Sequence, residues 1–419
     1  MKIGCPVAFF CLTGILFLSL LVSCKKSDRC HEPQIHEVRL GAILDLSGIY
    51  SEEGMAGKVA METGVADLNQ LYLLAGSVTR FSVTVRDAGM DTAKALTAAK
   101  EMYNQGIRLL VGGPNTSSEL KAIMPYLNAN KMLVLNCFAT SPALAIPDDY
   151  IFRLIPDDNV QGRATAKMMQ TDGIKALIPV YRNDAYGTGL SQSAKDQFIS
   201  LGGMVYDGVA YATGTVSYPD IISQAATQVA DAVAIYGDSC VAVLLVSYQD
   251  AADFFKAATG VDVMKVVRWY GCDANTKKTA VTLDAEAAAF AHEVRFLAPI
   301  MAIGTASSVP PNAAEIAGRI KAVTGSDPDD MALSAYDAVM IYGQCYNLTR
   351  RYDATLFKAV LPSVCASYNY LGISRKMNDA GDLATSNYVF WAVIQTPGGW
   401  DWESYSTYFA EGDYILVKP

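Results

Sequence analysis

Arg108-Leu109-Leu110-Val111-Gly112-Gly113-Pro114-Asn115-Thr116-Ser117-Ser118-Glu119 runs from an apolar strand, through paired glycines, into hydroxyl residues that can start a helix. The glycines permit close backbone approach, and Thr116 or Ser117 stands where a side chain caps the first turn. The leading N–H groups of such a helix lack intrahelical partners and lie at the positive end of its dipole. A second copy follows the apolar run 132–135, in Asn136-Cys137-Phe138-Ala139-Thr140-Ser141-Pro142. Both loops leave the C-terminal ends of strands, which is where open α/β sheets bind ligands. Side by side they could hold one carboxylate with hydroxyls and backbone N–H groups. Spacing alone leaves a second reading open, in which Thr116, Ser117 and Ser141 only cap their own helices.

The same rhythm extends outward from these loops. Strands are expected at 38–44, 81–86 and 150–154, with helices at 56–74, 91–103 and 117–127. It then repeats as helix 160–171, strand 176–181, helix 187–201, strand 205–211, helix 218–229, strand 241–246, helix 249–258 and strand 265–271. Strands alternating with helices of this length imply parallel sheets covered on both faces. Leu244-Leu245-Val246 has no polar alternation, as expected of a strand buried on both sides. The fold class is therefore α/β, with two doubly wound, Rossmann-like lobes.

Residues 1–23 stand apart from this pattern. Lys2 precedes an almost wholly apolar run, 7–22, which ends in Leu21-Val22-Ser23-Cys24. That is the layout of an export signal, at the short end for a spanning helix of roughly 20 residues. The small residues before Cys24 resemble a bacterial lipobox, in which cleavage precedes the cysteine and its thiol carries a diacylglycerol. An ordinary signal peptide or an uncleaved anchor is the other reading. With the leader set aside, residues 24–35 read as a polar tether, and the rest of the 419-residue chain is comfortable for two domains. The formal net charge of −9, with no basic run, argues against nucleic acid or anionic lipid headgroups as partners.

The residues suggest no catalytic or cofactor chemistry. No GxGxxG opens a helix after a strand, and Gly187-Thr188-Gly189 lacks the third glycine. Walker, GxSxG and HExxH motifs are absent, so neither an enzyme nor a cofactor is expected. No CxxC occurs and the histidines are scattered, which argues against a metal site. Carboxylates such as Asp157-Asp158, or Asp327 with Asp329 and Asp330, read as solvated loop charge. Outside the cytosol disulfides are possible, and Cys345 with Cys365, on consecutive helical segments, is the one expected pair.

Taken in order, these segments resemble the type I periplasmic binding proteins, in the branch of the leucine/isoleucine/valine-binding components of ABC importers. The resemblance rests on Leu40-Gly41-Ala42-Ile43-Leu44-Asp45-Leu46-Ser47-Gly48, Val85-Arg86-Asp87-Ala88-Gly89, Leu110-Val111-Gly112-Gly113, Ala139-Thr140-Ser141-Pro142 and Asn183-Asp184-Ala185-Tyr186-Gly187. Ser334-Ala335-Tyr336-Asp337-Ala338 and Asn378-Asp379-Ala380-Gly381-Asp382 continue it. It spans about residues 36–400, and its specificity lies in the ordered set rather than in any one motif.

The resemblance implies three crossings between lobes, acting as a hinge. Lobe one would be 36–156 with 299–373, and lobe two 157–298 with 374–419. It also implies binding roles. Thr116 and Ser117 match positions that hold a ligand carboxylate. Phe138 and Thr140 match positions that use a backbone carbonyl, a hydroxyl and an N–H. Tyr186 matches an aromatic that closes over the ligand, and Asp273 an acid that pairs with an ammonium. Tyr50, Glu53 and Tyr248 fall near further ligand-contacting positions. Two departures stand out: Cys137-Phe138 replaces small residues or proline, and acidic Glu53 suggests a charged or hydrogen-bonding ligand side chain. The function implied is an extracytoplasmic solute-binding lipoprotein in the cell envelope, held to the membrane through Cys24 and serving an ABC permease. The alternative is a ligand-sensing receptor subunit with a separate signalling partner.

Overall fold

A computed structural model describes residues 36–418, so the expected leader, Cys24 and the tether lie outside the described residues. One sheet holds β1 (His36–Leu44), β2 (Thr79–Asp87), β3 (Leu109–Gly112), β4 (Leu133–Asn136) and β5 (Ile151–Arg153). Its order is β2-β1-β3-β4-β5, parallel throughout. A second sheet takes β6 (Ala176–Arg182), β7 (Met204–Val205), β8 (Val209–Tyr211), β9 (Val241–Val246), β10 (Arg268–Tyr270) and β11 (Leu297–Met301). It is completed by β12 (Tyr388–Thr396), β13 (Gly399–Phe409) and β14 (Tyr414–Val417), in the order β14-β13-β12-β11-β10-β9-β6-β7, with β8 also on β6. The α/β, doubly wound class holds for both halves.

Three departures from the expected elements have local causes. The expected strand 205–211 is two short strands, because Gly208 turns at φ +75° against the Pro179 carbonyl. The expected strand 265–271 shrinks to β10, since Asp262–Lys265 forms a helical turn ahead of it. The second sheet is not wholly parallel: β12, β13 and β14 extend it antiparallel beyond β11. Gly399-Trp400-Asp401-Trp402-Glu403 alternates half-buried and exposed positions, as a strand with one wet face does.

The chain changes halves between β5 and the helix Asp158–Thr171, and returns after β11. The helix Asp330–Thr349 then packs on the first sheet, where Tyr342 Oη donates to the Leu110 carbonyl at 3.0 Å. The expected boundary at 298/299 falls inside β11, which belongs whole to the second sheet. Cys345 and Cys365 do lie on consecutive helices, Asp330–Thr349 and Ala354–Ser367, but they form no disulfide. Both are free, buried thiols, and burial pushes the Cys365 thiol up to about 12, so each packs as a small apolar group. No helix among the described residues is long and apolar enough to cross a membrane. Among the same residues no cluster of three or more His, Cys, Asp or Glu could hold a metal ion.

Candidate functional site

The loop from Gly112 to Ser117 is shaped by its glycines. Gly112 sits at φ +79°, and a Cβ on Gly113 would come 1.8 Å from the Ile43 carbonyl oxygen. The chain therefore runs tight against β1, and the helix Ser117–Ala129 begins just past the C-terminal end of the central strand β3. Thr116 caps it in a capping box with Glu119: its hydroxyl donates to Glu119 Oε2 at 2.6 Å and accepts from the Glu119 N–H. Ser117 Oγ accepts from the Ser141 N–H at 3.1 Å, which joins the two loops. Thr116 thus caps its own helix and also lines a cavity.

That cavity is small and lies between the halves. Tyr50, Asn115, Thr116, Ser117 and Phe138 face it from the first sheet's loops. Tyr186, in the first turn of the helix Ala185–Ser200, Tyr248, and Asp273 and Ala274 of the turn Asp273–Asn275 face it from the second sheet's side. Seven of the nine residues nominated from sequence therefore meet at one point. Phe138 narrows the space, its ring seated where a side chain on Gly57 would collide with it. Tyr248 stands edge-on to Tyr50, ring centroids 5.4 Å apart, and 5.5 Å from Tyr186. The Arg182 guanidinium covers the Tyr248 ring at 4.6 Å.

Asp273 is the one charged residue of this lining. Its carboxylate accepts the Tyr186 hydroxyl and the Ala274 N–H, and its own N–H donates to Gln161 Oε1 at 2.9 Å. Burial raises its pKa, against the lowering influence of the Tyr186 and Gln161 bonds. A carboxylate so desolvated calls for a cationic partner. Opposite it, Asn115 Nδ2 is buried with no partner, while Asn115 Oδ1 accepts from the Asp45 N–H. This orphan donor beside a helix N-terminus suits a carboxylate. Sequence reasoning quoted Asn115 but passed over it; its place between the glycines and the helix cap was the available signal.

Two nominated residues lie elsewhere. Thr140 is buried and is not among the lining residues, and its carbonyl accepts the Asp158 N–H at 2.9 Å where the chain first crosses. Glu53 is not free to meet a charged ligand side chain, because Lys278 from the other half binds it in an ion pair. Lys278 had no sequence signal. It is distant in the chain and becomes Glu53's neighbour only through the fold.

Beneath the capped helix, Glu119 and Asp45 form a buried acid pair. Burial and then the Asp45 charge push Glu119 up to about 8. An acid held above its unfolded value of 4.5 contributes stability that is complete below that value and is lost as pH rises through about 8. Thermal denaturation should show stability falling between about pH 5 and 8 by on the order of 1 kcal/mol per pH unit, and levelling off above that. Glu119→Gln should flatten that slope, and an unchanged slope would remove Glu119 as its source.

With this geometry in place, comparison with known proteins settles the class. The family model for periplasmic binding proteins matches residues 37–387, and the chain belongs to that family. An uncharacterized protein of Methanocaldococcus jannaschii, MJ1266, is 26% identical over 383 residues, 87% of this chain and 88% of its own length. Arabidopsis thaliana glutamate receptor 2.8 is 28% identical over 160 residues, 38% of this chain and only 16% of the receptor. Among solved structures, a leucine binding protein of Thermotoga maritima superposes with a TM-score of 0.70 at 18% identity, covering 87% of this chain and 97% of that one. A solute binding protein of Rhodopseudomonas palustris bound to p-hydroxybenzoic acid gives 0.71 at 15% identity, covering 90% and 98%. At these identities the structural matches bear on the fold alone. Family members are solute-binding proteins of extracytoplasmic setting.

Proposed function

We propose that this chain is the lipid-anchored solute-binding component of an ABC importer, and that it holds an amino acid with an uncharged side chain. One observation carries the ligand class. A single small cavity sets the buried Asp273 carboxylate, flanked by Tyr186, across from the unpartnered Asn115 amide at a helix N-terminus. Opposite polarities on opposing walls match a zwitterion, with the ammonium on Asp273 and the carboxylate on the first half's loops. A ligand with a carboxylate and no ammonium, such as the hydroxybenzoate held by the Rhodopseudomonas palustris protein, would leave Asp273 uncompensated. Pairing of Glu53 with Lys278 leaves no free charge there for a charged ligand side chain, and the one charge in the cavity lining, Asp273, is taken by the ammonium.

The halves would act as lobes, 36–156 with 302–373 and 157–301 with 374–419, the second crossing placed after Met301 because β11 belongs to the second sheet. Closure needs a ligand that contacts the closed form better than the open one, and the two-walled site supplies that difference. Removal of residues 1–23, a diacylglycerol on Cys24 and a tether at 24–35 would keep the binding site near a permease. The stretch shared with a plant glutamate receptor supports a second reading, a sensing subunit whose closure is read by a separate signalling protein. Isothermal calorimetry against the common amino acids and small aromatic acids tests the ligand class. We expect neutral amino acids to bind, and aromatic acids and basic amino acids to bind at least tenfold more weakly. Preference for an acid that lacks an amine would overturn the assignment.

A further inference from the structure

We propose that Glu53 and Lys278 are positioning residues that latch the two halves over the binding cavity. The inference rests on the cleft-closing reading above. Glu53 lies in the first turn of the helix Ser51–Leu74, which packs with the first sheet. Lys278 follows the turn Asp273–Asn275, and its carbonyl accepts Trp402 Nε1 of β13 at 3.2 Å, which fixes it to the second sheet. Their ion pair spans the cleft with side chains only 6% and 3% exposed. Next to it Thr279 donates to Glu52, a second bond across the same gap. The Lys278 ammonium also lies 5.4 Å from the centroid of the Tyr50 ring, and Tyr50 walls the cavity. The latch therefore closes beside the ligand, one ring away from it.

The chemistry suits a reversible device rather than a permanent weld. Burial works against the Lys278 charge, and the carboxylates of Glu53, Asp329 and Glu52 outweigh it. Only one Glu53 oxygen is paired, however, and Oε2 is buried without a partner. A buried ion pair that leaves a lone pair unsatisfied contributes little net stability against its hydrated, separated state. Its strength is in selectivity. Closing out of register, or closing with one partner missing, traps a bare charge, so the pair admits one closed geometry and permits opening.

Small-angle X-ray scattering of the intact purified protein without ligand, with circular dichroism as a fold control, tests this directly. Lys278→Met strands Glu53 in the closed form, so we expect a larger radius of gyration with the dichroism spectrum unchanged. The reversed pair, Glu53→Lys with Lys278→Glu, should return the radius toward that of the parent protein. For a bound amino acid, dissociation should be at least tenfold faster in Lys278→Met and restored in the reversed pair. Should Lys278→Met fail to fold, Glu53→Gln, which keeps the side chain's shape, serves in its place. An unchanged radius in a folded single variant overturns the latch, as does a reversed pair that stays expanded. The ligand-free arm is independent of ligand identity, so an empty calorimetric screen refutes the ligand assignment and leaves the latch to be judged by scattering.

Discussion

Asp273→Ala should weaken amino-acid binding by about 2–5 kcal/mol, the cost of removing one partner from a desolvated charge pair. That corresponds to roughly 30- to 5,000-fold in Kd. The carboxylate has given up its hydration and receives in exchange the Tyr186 hydroxyl and the Ala274 N–H. Two donors stabilise the charge without neutralising it, and burial still raises its pKa. A bound ammonium completes the set. The ligand-free protein should respond in the opposite sense: removing an uncompensated buried charge should leave its thermal midpoint unchanged or higher. Loss of affinity without loss of stability separates a ligand contact from a structural acid. Tyr186→Phe should cost less, about 1.5–3 kcal/mol, because it removes one hydrogen bond to a charged group. An unchanged Kd in Asp273→Ala, measured by calorimetry with a bound amino acid, would remove Asp273 from the site.

What could be read from the chain divides along a physical line. Val241–Val246 matches its expected bounds because a strand buried on both faces is apolar at every position, a signal carried by the strand alone. The loops of β3 and β4 were legible for a related reason: the glycines and capping hydroxyls are local requirements of a strand-to-helix turn. Antiparallel β12–β14 was missed because a sheet edge with a wet face shows weaker alternation, and half-buried tryptophans blur it further. The site followed the same rule. Tyr50, Tyr186, Tyr248 and Asp273 sit at loops and helix starts that the family order locates, and the fold brings them together. Glu53's partner was not legible, since it is 225 positions away and nothing near Lys278 marks it. Nor could the bond of the Thr140 carbonyl to Asp158 at the first crossing be read from its own loop. Partners set by tertiary closure leave no trace in local pattern.

The crossings themselves offer the largest expected stability effect. Arg153, at the end of β5, is fully buried and grips Asp382 of the last crossing through Nη2 to Oδ2 at 2.6 Å, with Nε on the other oxygen. Its remaining Nη1 donates to the Ala139 and Ser141 carbonyls at 3.0 Å each, which holds the second ligand loop. Backbone bonds between Arg153 and Gly381 and Leu383 lay the crossing beside β5 almost as another strand. Arg153→Met would leave the Asp382 carboxylate at 1% exposure with no countercharge, and release two loop carbonyls. Breaking a buried pair from one side costs about 3–5 kcal/mol. Urea denaturation should therefore show a lower midpoint by that amount at an unchanged slope. Arg153→Lys should recover only part of it, because an ammonium cannot span both carboxylate oxygens and both carbonyls at once. Removing the stranded charge as well, in Arg153→Met with Asp382→Asn, should restore most of the stability but not ligand affinity, since the 139–141 loop stays unpinned. That split tells whether the pair serves the fold alone or also carries the position of the last crossing to the ligand loop. Equal recovery of stability and affinity would show that the loop holds its shape without the guanidinium.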